Sequence, residues 1–205
     1  MVPSVVPVYV LLHGGGLSSL SWALVAGSLK RHGRPTVAYD FRAHGGSTGD
    51  EKELTADQLC SDTIAVIEAM VGKEGPLVIV GHSLGGAIAA KVSCTPQLKD
   101  RVIAVAMFDI VESVAMSSLD RMEEMIARRP VSFRTKHDAI QWAIKTGMVS
   151  NPVSAAVSVP SLLAAAQAEH EMAAGQAAEE DTGHLSWRTD LRATSSLWPV
   201  CAFSS

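Results

Sequence analysis

At 205 residues and 21.6 kDa the chain is long enough to bury one substantial core and short of what two domains ordinarily need, so a single domain is expected. Hydrophobic residues make up 47% against 19% charged, with mean hydropathy +0.20, which excludes a chain disordered throughout. The net charge is −4 and the 17 Lys and Arg residues are scattered rather than gathered in a stripe, which argues against nucleic acid and an anionic membrane as partners.

Cys60, Cys94 and Cys201 show neither CxxC nor Cys/His ligand spacing, which argues against a disulfide scaffold and against structural zinc. A reduced, cytoplasmic compartment, with the nucleus as a second one, is the expected setting. The opening MVPSVVPVYVLLHGGG has no basic n-region and no small-residue cleavage site, and its apolar run is too short to span a bilayer. It reads as a strand.

In chain order, Val5 to Leu12 is β-branched and continuously apolar, the pattern of a strand buried on both faces of a parallel sheet. Gly14, Gly15 and Gly16 break it, and Ser18 or Ser19 is placed to cap a helix over 20–31 with Trp22, Val25, Ala26 and Leu29 on one face. Pro35 to Asp40 reads as a second strand and 42–50 as a loop. Thr55 and Gln58 form a capping-box pattern ahead of a helix to about Met70, ended by 72–76. Leu77 to Val80 is the third strand, Leu84 to Val92 a helix and Val102 to Phe108 a fourth strand. Strands and helices thus alternate at the spacing of βαβ units, and an open, mostly parallel α/β sheet is predicted. From Glu112 to about Ala168 the signals are all helical, fitting a lid over one end of the sheet, and the Ala/Gln/Glu tract at 160–183 reads as a flexible insert.

The chemistry concentrates in Gly81-His82-Ser83-Leu84-Gly85, a Gly-x-Ser-x-Gly pattern set between an apolar strand and a helix. Three fixed residues at about 7% frequency match by chance in roughly one chain in fifteen of this length, so the weight lies in that context. The turn strains the backbone to lift the Ser83 hydroxyl above the sheet, and side chains at either flanking glycine would meet neighbouring backbone. The alternative is a glycine-rich βα turn without chemistry. His82 occupies an x position and is read as a packed or hydrogen-bonded structural histidine.

His13-Gly14-Gly15-Gly16 follows the first strand, where a loop donating one oxyanion N–H is expected, the other coming from Leu84 after the nucleophile. A phosphate-binding loop is disfavoured, because neither a Gly-x-Gly-x-x-Gly fingerprint nor a Walker lysine accompanies these glycines. Asp109 ends the fourth strand, at the edge where an acid orients a catalytic imidazole. Its competing roles are a helix N-cap, or second place to Glu112 as the acid. Asp40 is read as structural, pairing with Arg42.

LLHGGGLSSLSWALVAGSL, YDFRAHGGS, IVGHSLGGAIA, FDIVESVAM followed by RRPVSF, and AIQWAIKTGMVSN together resemble the protein phosphatase methylesterase family of α/β-hydrolases, in order from about Val8 to Ser158 and more loosely around Ser186-Trp187-Arg188. The resemblance implies an α/β-hydrolase fold and removal of the methyl ester from the C-terminal leucine of type 2A protein phosphatase catalytic subunits, the implied partner. It implies Ser83 as nucleophile, Asp109 as triad acid and Gly14, Gly15 and Leu84 around the oxyanion, with no metal or cofactor. The Ala/Glu tract falls where family members carry an acidic, poorly ordered insert.

The sequence departs from the family pattern in two places. The family's catalytic histidine lies in a Gly-His segment after the last strands of the sheet, and strands precede the family's HGGG. Neither feature is found here, so a chain shortened at both ends is expected. His137, His170 and His184 follow the acid in sequence and are weak substitutes for the base. Three functional readings follow: a serine methylesterase, a non-catalytic form that binds the phosphatase, and a general small-molecule esterase.

Overall fold

The computed structural model describes residues 5–109, 126–165 and 184–191. The expectations for Glu112, His170, Cys201 and most of the Ala/Glu tract lie outside them. The first body is a parallel sheet of β1 (Val8–Leu12), β2 (Thr36–Ala38), β3 (Leu77–His82) and β4 (Val102–Phe108) in the order β2-β1-β3-β4. β1 and β3 run in unbroken register from Val8 opposite Leu77 to Leu12 opposite Gly81, which brings their carboxyl ends level.

The helices between the strands are α1 (Ala23–Arg31), α2 (Ala56–Met70) and α3 (Leu84–Ser93). α2 starts as read: the Thr55 hydroxyl accepts the Gln58 N–H. The Gln58 amide does not complete a capping box and instead donates to Asp62. The helix expected from residue 20 begins as a 3-10 turn, Ser19–Trp22, and α1 starts only at Ala23. Ser18 caps nothing, its hydroxyl being engaged 2.6 Å from that of Ser161. Of the predicted apolar face Val25 is exposed and Trp22, Ala26 and Leu29 are half-buried.

Val10, Leu12, Ile79, Ile88, Leu59, Ile67 and Phe41 form the main core, so β1 and β3 carry the apolar burial their continuous patterns predict. β4 differs: Ile103, Met107 and Phe108 are half or more exposed, and its outer edge pairs with no strand among the described residues.

The second body corrects the all-helical reading of the lid. Here β5 (Ser132–Phe133), β6 (Leu163–Ala165) and β7 (Leu185–Trp187) form an antiparallel sheet ordered β5-β7-β6, beside α4 (Lys136–Lys145) and α5 (Pro152–Ser158). Strands of two or three residues leave no period-2 signal. Leu163–Ala165, read as part of the flexible insert, is one of these strands. Thr135 and Asp138 close a capping box on α4, and Asn151 caps α5 ahead of Pro152. Phe133, Trp142 and Trp187 pack with ring centroids 5.4 to 5.8 Å apart, and the Trp187 indole N–H donates to the Pro130 carbonyl.

This body docks over the carboxyl end of the parallel sheet. Besides the Ser18–Ser161 pair, the Thr189 hydroxyl donates to the Ala43 carbonyl and the Asp190 N–H to the Glu51 carboxylate. No helix among the described residues is long and apolar enough to cross a membrane.

Candidate active site

β3 ends in a turn that only a close-packed sequence can make. Ser83 has φ 50° and ψ −120°, a region that costs a residue with a side chain of order 1–3 kcal/mol. The turn is held on both sides: the Ser83 N–H donates to the Phe108 carbonyl at 2.9 Å, and the Ser83 carbonyl accepts the N–H groups of Gly86 and Ala87. A Cβ at Gly81 would overlap the Gly85 carbonyl, and one at Gly85 would overlap the Leu12 carbonyl and sit 2.5 Å from that of His13. Both glycines are thus required where β1, β3 and α3 meet, as the motif predicts.

Leu84 is the first residue of α3, so its N–H has no intrahelical acceptor and lies at the positive end of the helix. Gly15 sits against it: a Cβ there would be 3.9 Å from Leu84 Cδ2. Gly14 packs on His82, whose Nδ1 would lie 2.7 Å from an added Cβ. Asp109 follows β4 with φ 57°, a second left-handed residue one strand away from Ser83. Ser83, Leu84, Gly14, Gly15 and Asp109 are therefore brought together at the carboxyl ends of β1, β3 and β4.

The imidazole beside Asp109 is that of His82, Nε2 to Oδ2 3.6 Å, which the sequence reading took as structural. His137 is exposed in the first turn of α4, and among the described residues no imidazole hydrogen-bonds the Ser83 hydroxyl. Among the described residues no group of three His, Cys, Asp or Glu side chains is placed to share a metal ion.

Two buried histidines carry geometry the sequence reading missed. His13 Nε2 accepts the Phe41 N–H and its Nδ1–H donates to the Gly14 carbonyl, whereas His44 Nε2 accepts the Gly16 N–H and its Nδ1–H donates to the Arg42 carbonyl. The signal that could have found them is their shared setting: each directly precedes a glycine run in the loop that follows a strand.

Asp40 does not pair with Arg42. Burial pushes its carboxyl up, but N–H donors from Gly46 and Ser19 outweigh that and hold it below the ordinary carboxylate value. Arg42 turns to α2 instead, its guanidinium forking onto Asp62 at 2.6 and 2.8 Å and reaching Glu53.

Burial, with the His44 ring beside it, depresses His13 to about 4, and burial lowers His44 too. The sign is that of a group kept neutral in the fold. His13 contributes stability in full above its ordinary value near 6.5 and loses it as pH falls toward about 4, an interval worth roughly 3 kcal/mol. Urea midpoints measured from about pH 7 down to about pH 4 are expected to fall, and His13→Asn to fall less steeply over the same interval. Equal slopes would contradict this.

The alpha/beta hydrolase family model matches residues 9–205. The chain is 38% identical over 156 residues to protein phosphatase methylesterase 1 of Bos taurus, covering 75% of this chain and 41% of that protein. It is 35% identical over 195 residues to the probable protein phosphatase methylesterase 1 of Caenorhabditis elegans, covering 94% of this chain and 50% of that protein. The chain thus spans about half the length of the curated relatives it matches. Among solved structures, E-2-(acetamidomethylene)succinate hydrolase is similar in fold, with TM-score 0.71 and 20% identity over 96% of this chain and 66% of that one.

Proposed function

The chain belongs to the alpha/beta hydrolase family, and from that premise we propose that it is a serine carboxylesterase acting on the methyl ester of the C-terminal leucine of a type 2A protein phosphatase catalytic subunit. The observation that carries the reading is Ser83 at φ 50° between β3 and α3, with the Gly14-Gly15 loop against Leu84. The names of the relatives support a phosphatase as substrate, and the likeness to E-2-(acetamidomethylene)succinate hydrolase supports the fold alone.

In this reading Ser83 Oγ attacks the ester carbonyl and its proton passes to an imidazole oriented by Asp109. The N–H groups of Gly15 and Leu84 stabilise the oxyanion, one such donor being worth roughly 3 kcal/mol. Collapse breaks the acyl–oxygen bond, and the proton returns from the imidazole to the methoxy oxygen, releasing methanol. Water then attacks the acyl-enzyme, giving its proton to the imidazole. The free carboxylate leaves and Ser83 is restored.

Methanol release from an intact methylated phosphatase is expected to outpace release from a short peptide ending in leucine methyl ester. Equal rates would overturn the protein-specific reading in favour of a general esterase. Binding of the phosphatase without methanol release would favour the non-catalytic one.

A further inference from the structure

We propose that His13 and His44 form a reciprocal stitch that fixes the two peptide planes flanking Gly15 and so aims its N–H, His44 being the positioning residue on which the loop depends. The inference rests on the esterase reading for its catalytic consequence, but the stitch itself stands on geometry.

The loop after β1 and the loop after β2 exchange bonds symmetrically. The first lends His13 Nε2 to the Phe41 N–H at 2.9 Å, and the second lends His44 Nε2 to the Gly16 N–H at 2.9 Å. Because a backbone N–H can only donate, each Nε2 must be the acceptor, and each Nδ1 therefore carries the proton it gives to a carbonyl in its own loop, Gly14 at 2.8 Å and Arg42 at 2.9 Å. Both rings are buried and both must be neutral.

The consequence for Gly15 follows from peptide planarity. In a trans peptide the C=O and N–H point in opposite directions. The Gly14 carbonyl is held inward by His13 Nδ1–H and by the Leu17 N–H, so the N–H of Gly15 in the same plane points outward. The Gly16 N–H is held inward by His44, which fixes the second plane as well, so the backbone of Gly15 is tied on both sides. Three consecutive glycines would otherwise allow the first plane to flip at little cost, and the Gly14 carbonyl it would turn outward would repel an oxyanion. Gly16 has φ 69° and its Cα packs against Leu191, so the loop is also closed from the second body.

The charged groups around the stitch leave the acceptors undisturbed. Asp40 is engaged by Ser19 and Gly46, the Arg42 guanidinium is turned to Asp62 and Glu53, and His82 faces Asp109.

The test compares His44→Gln, whose side-chain oxygen reaches the Nε2 position, with His44→Asn, which is too short, in the full chain. Amide exchange at Gly16 is expected to stay slow in the wild type and His44→Gln, and to quicken at least about tenfold in His44→Asn. With a 4-nitrophenyl ester, kcat is expected to fall about 10- to 100-fold in His44→Asn with KM within about twofold, and to recover in His44→Gln. Unchanged Gly16 exchange in His44→Asn would overturn the stitch. Faster exchange with unchanged kcat would overturn its positioning role. Should His44→Asn not fold, His44→Gln decides alone: rapid Gly16 exchange in a folded His44→Gln overturns the proposal. A parallel Ser83→Ala variant that retains turnover, or a wild type with none, would instead refute the esterase reading, while the exchange measurement still decides the stitch.

Discussion

Replacing Ser83 with alanine is expected to lower ester turnover by about 10³-fold or more while leaving the melting temperature within about 2 °C of the wild type. Both halves of the expectation come from the same geometry. Among the described residues the Ser83 hydroxyl has no hydrogen-bond partner, so none of them is left with a stranded polar group by its removal. The strain at φ 50° is borne equally by alanine, and the backbone bonds from Ser83 to Phe108, Gly86 and Ala87 do not involve the side chain. Only the nucleophile is lost. Steady-state turnover of a methyl ester together with a thermal melt checks both parts. A variant that melts as the wild type and still turns over would remove Ser83 from the reaction.

Gly85→Ala is expected to disturb the fold strongly. Its Cβ would overlap the Leu12 carbonyl and sit 2.5 Å from that of His13, both backbone atoms of the strand that leads into the glycine loop. No side chain can rotate aside to relieve the clash, so α3 must move away from β1 and the elbow opens. Overpacking of this kind costs typically 1–3 kcal/mol and more where backbone must shift, and about 3 kcal/mol corresponds to a fall of roughly 10 °C in a chain of this size. Reactivity of Ser83 should fall with it, since Ser83, Leu84 and Gly15 no longer keep their spacing. Gly27→Ala in α1 is the control: its Cβ meets only the Arg31 guanidinium at 3.8 Å, and helix propensity predicts a gain of up to about 1 kcal/mol. Similar melting temperatures for the two variants would refute the packing argument.

What the sequence discloses about this site is what is local in the chain. Ser83 and its glycines lie within five residues, and the strand and helix on either side have the apolar pattern that identifies them, so the elbow is visible before any tertiary contact is known. Asp109 is legible for the same reason, as the residue that closes the apolar run of β4. The second body is hidden because its strands are two or three residues long and pair between residues twenty or more apart in the chain, as Leu163 with Trp187 does. Nearness in sequence matches Asp40 to Arg42. Yet β2 stops at Ala38, and beyond it the alternation of a strand no longer says which way a side chain turns. His44 escaped notice because a single loop histidine has no periodicity, and its partner, Gly16, lies 28 residues away. The exposed apolar face of β4 was likewise unreadable, since its sequence is as continuously apolar as that of buried β1.

The most direct test of the central claim is peptide mapping of the folded chain after reaction with a fluorophosphonate, which forms a stable bond only with an activated serine. The account predicts one adduct, on the peptide containing Gly81-His82-Ser83, and none in Ser83→Ala. A folded chain that takes no adduct, or one modified elsewhere with Ser83 untouched, would contradict it.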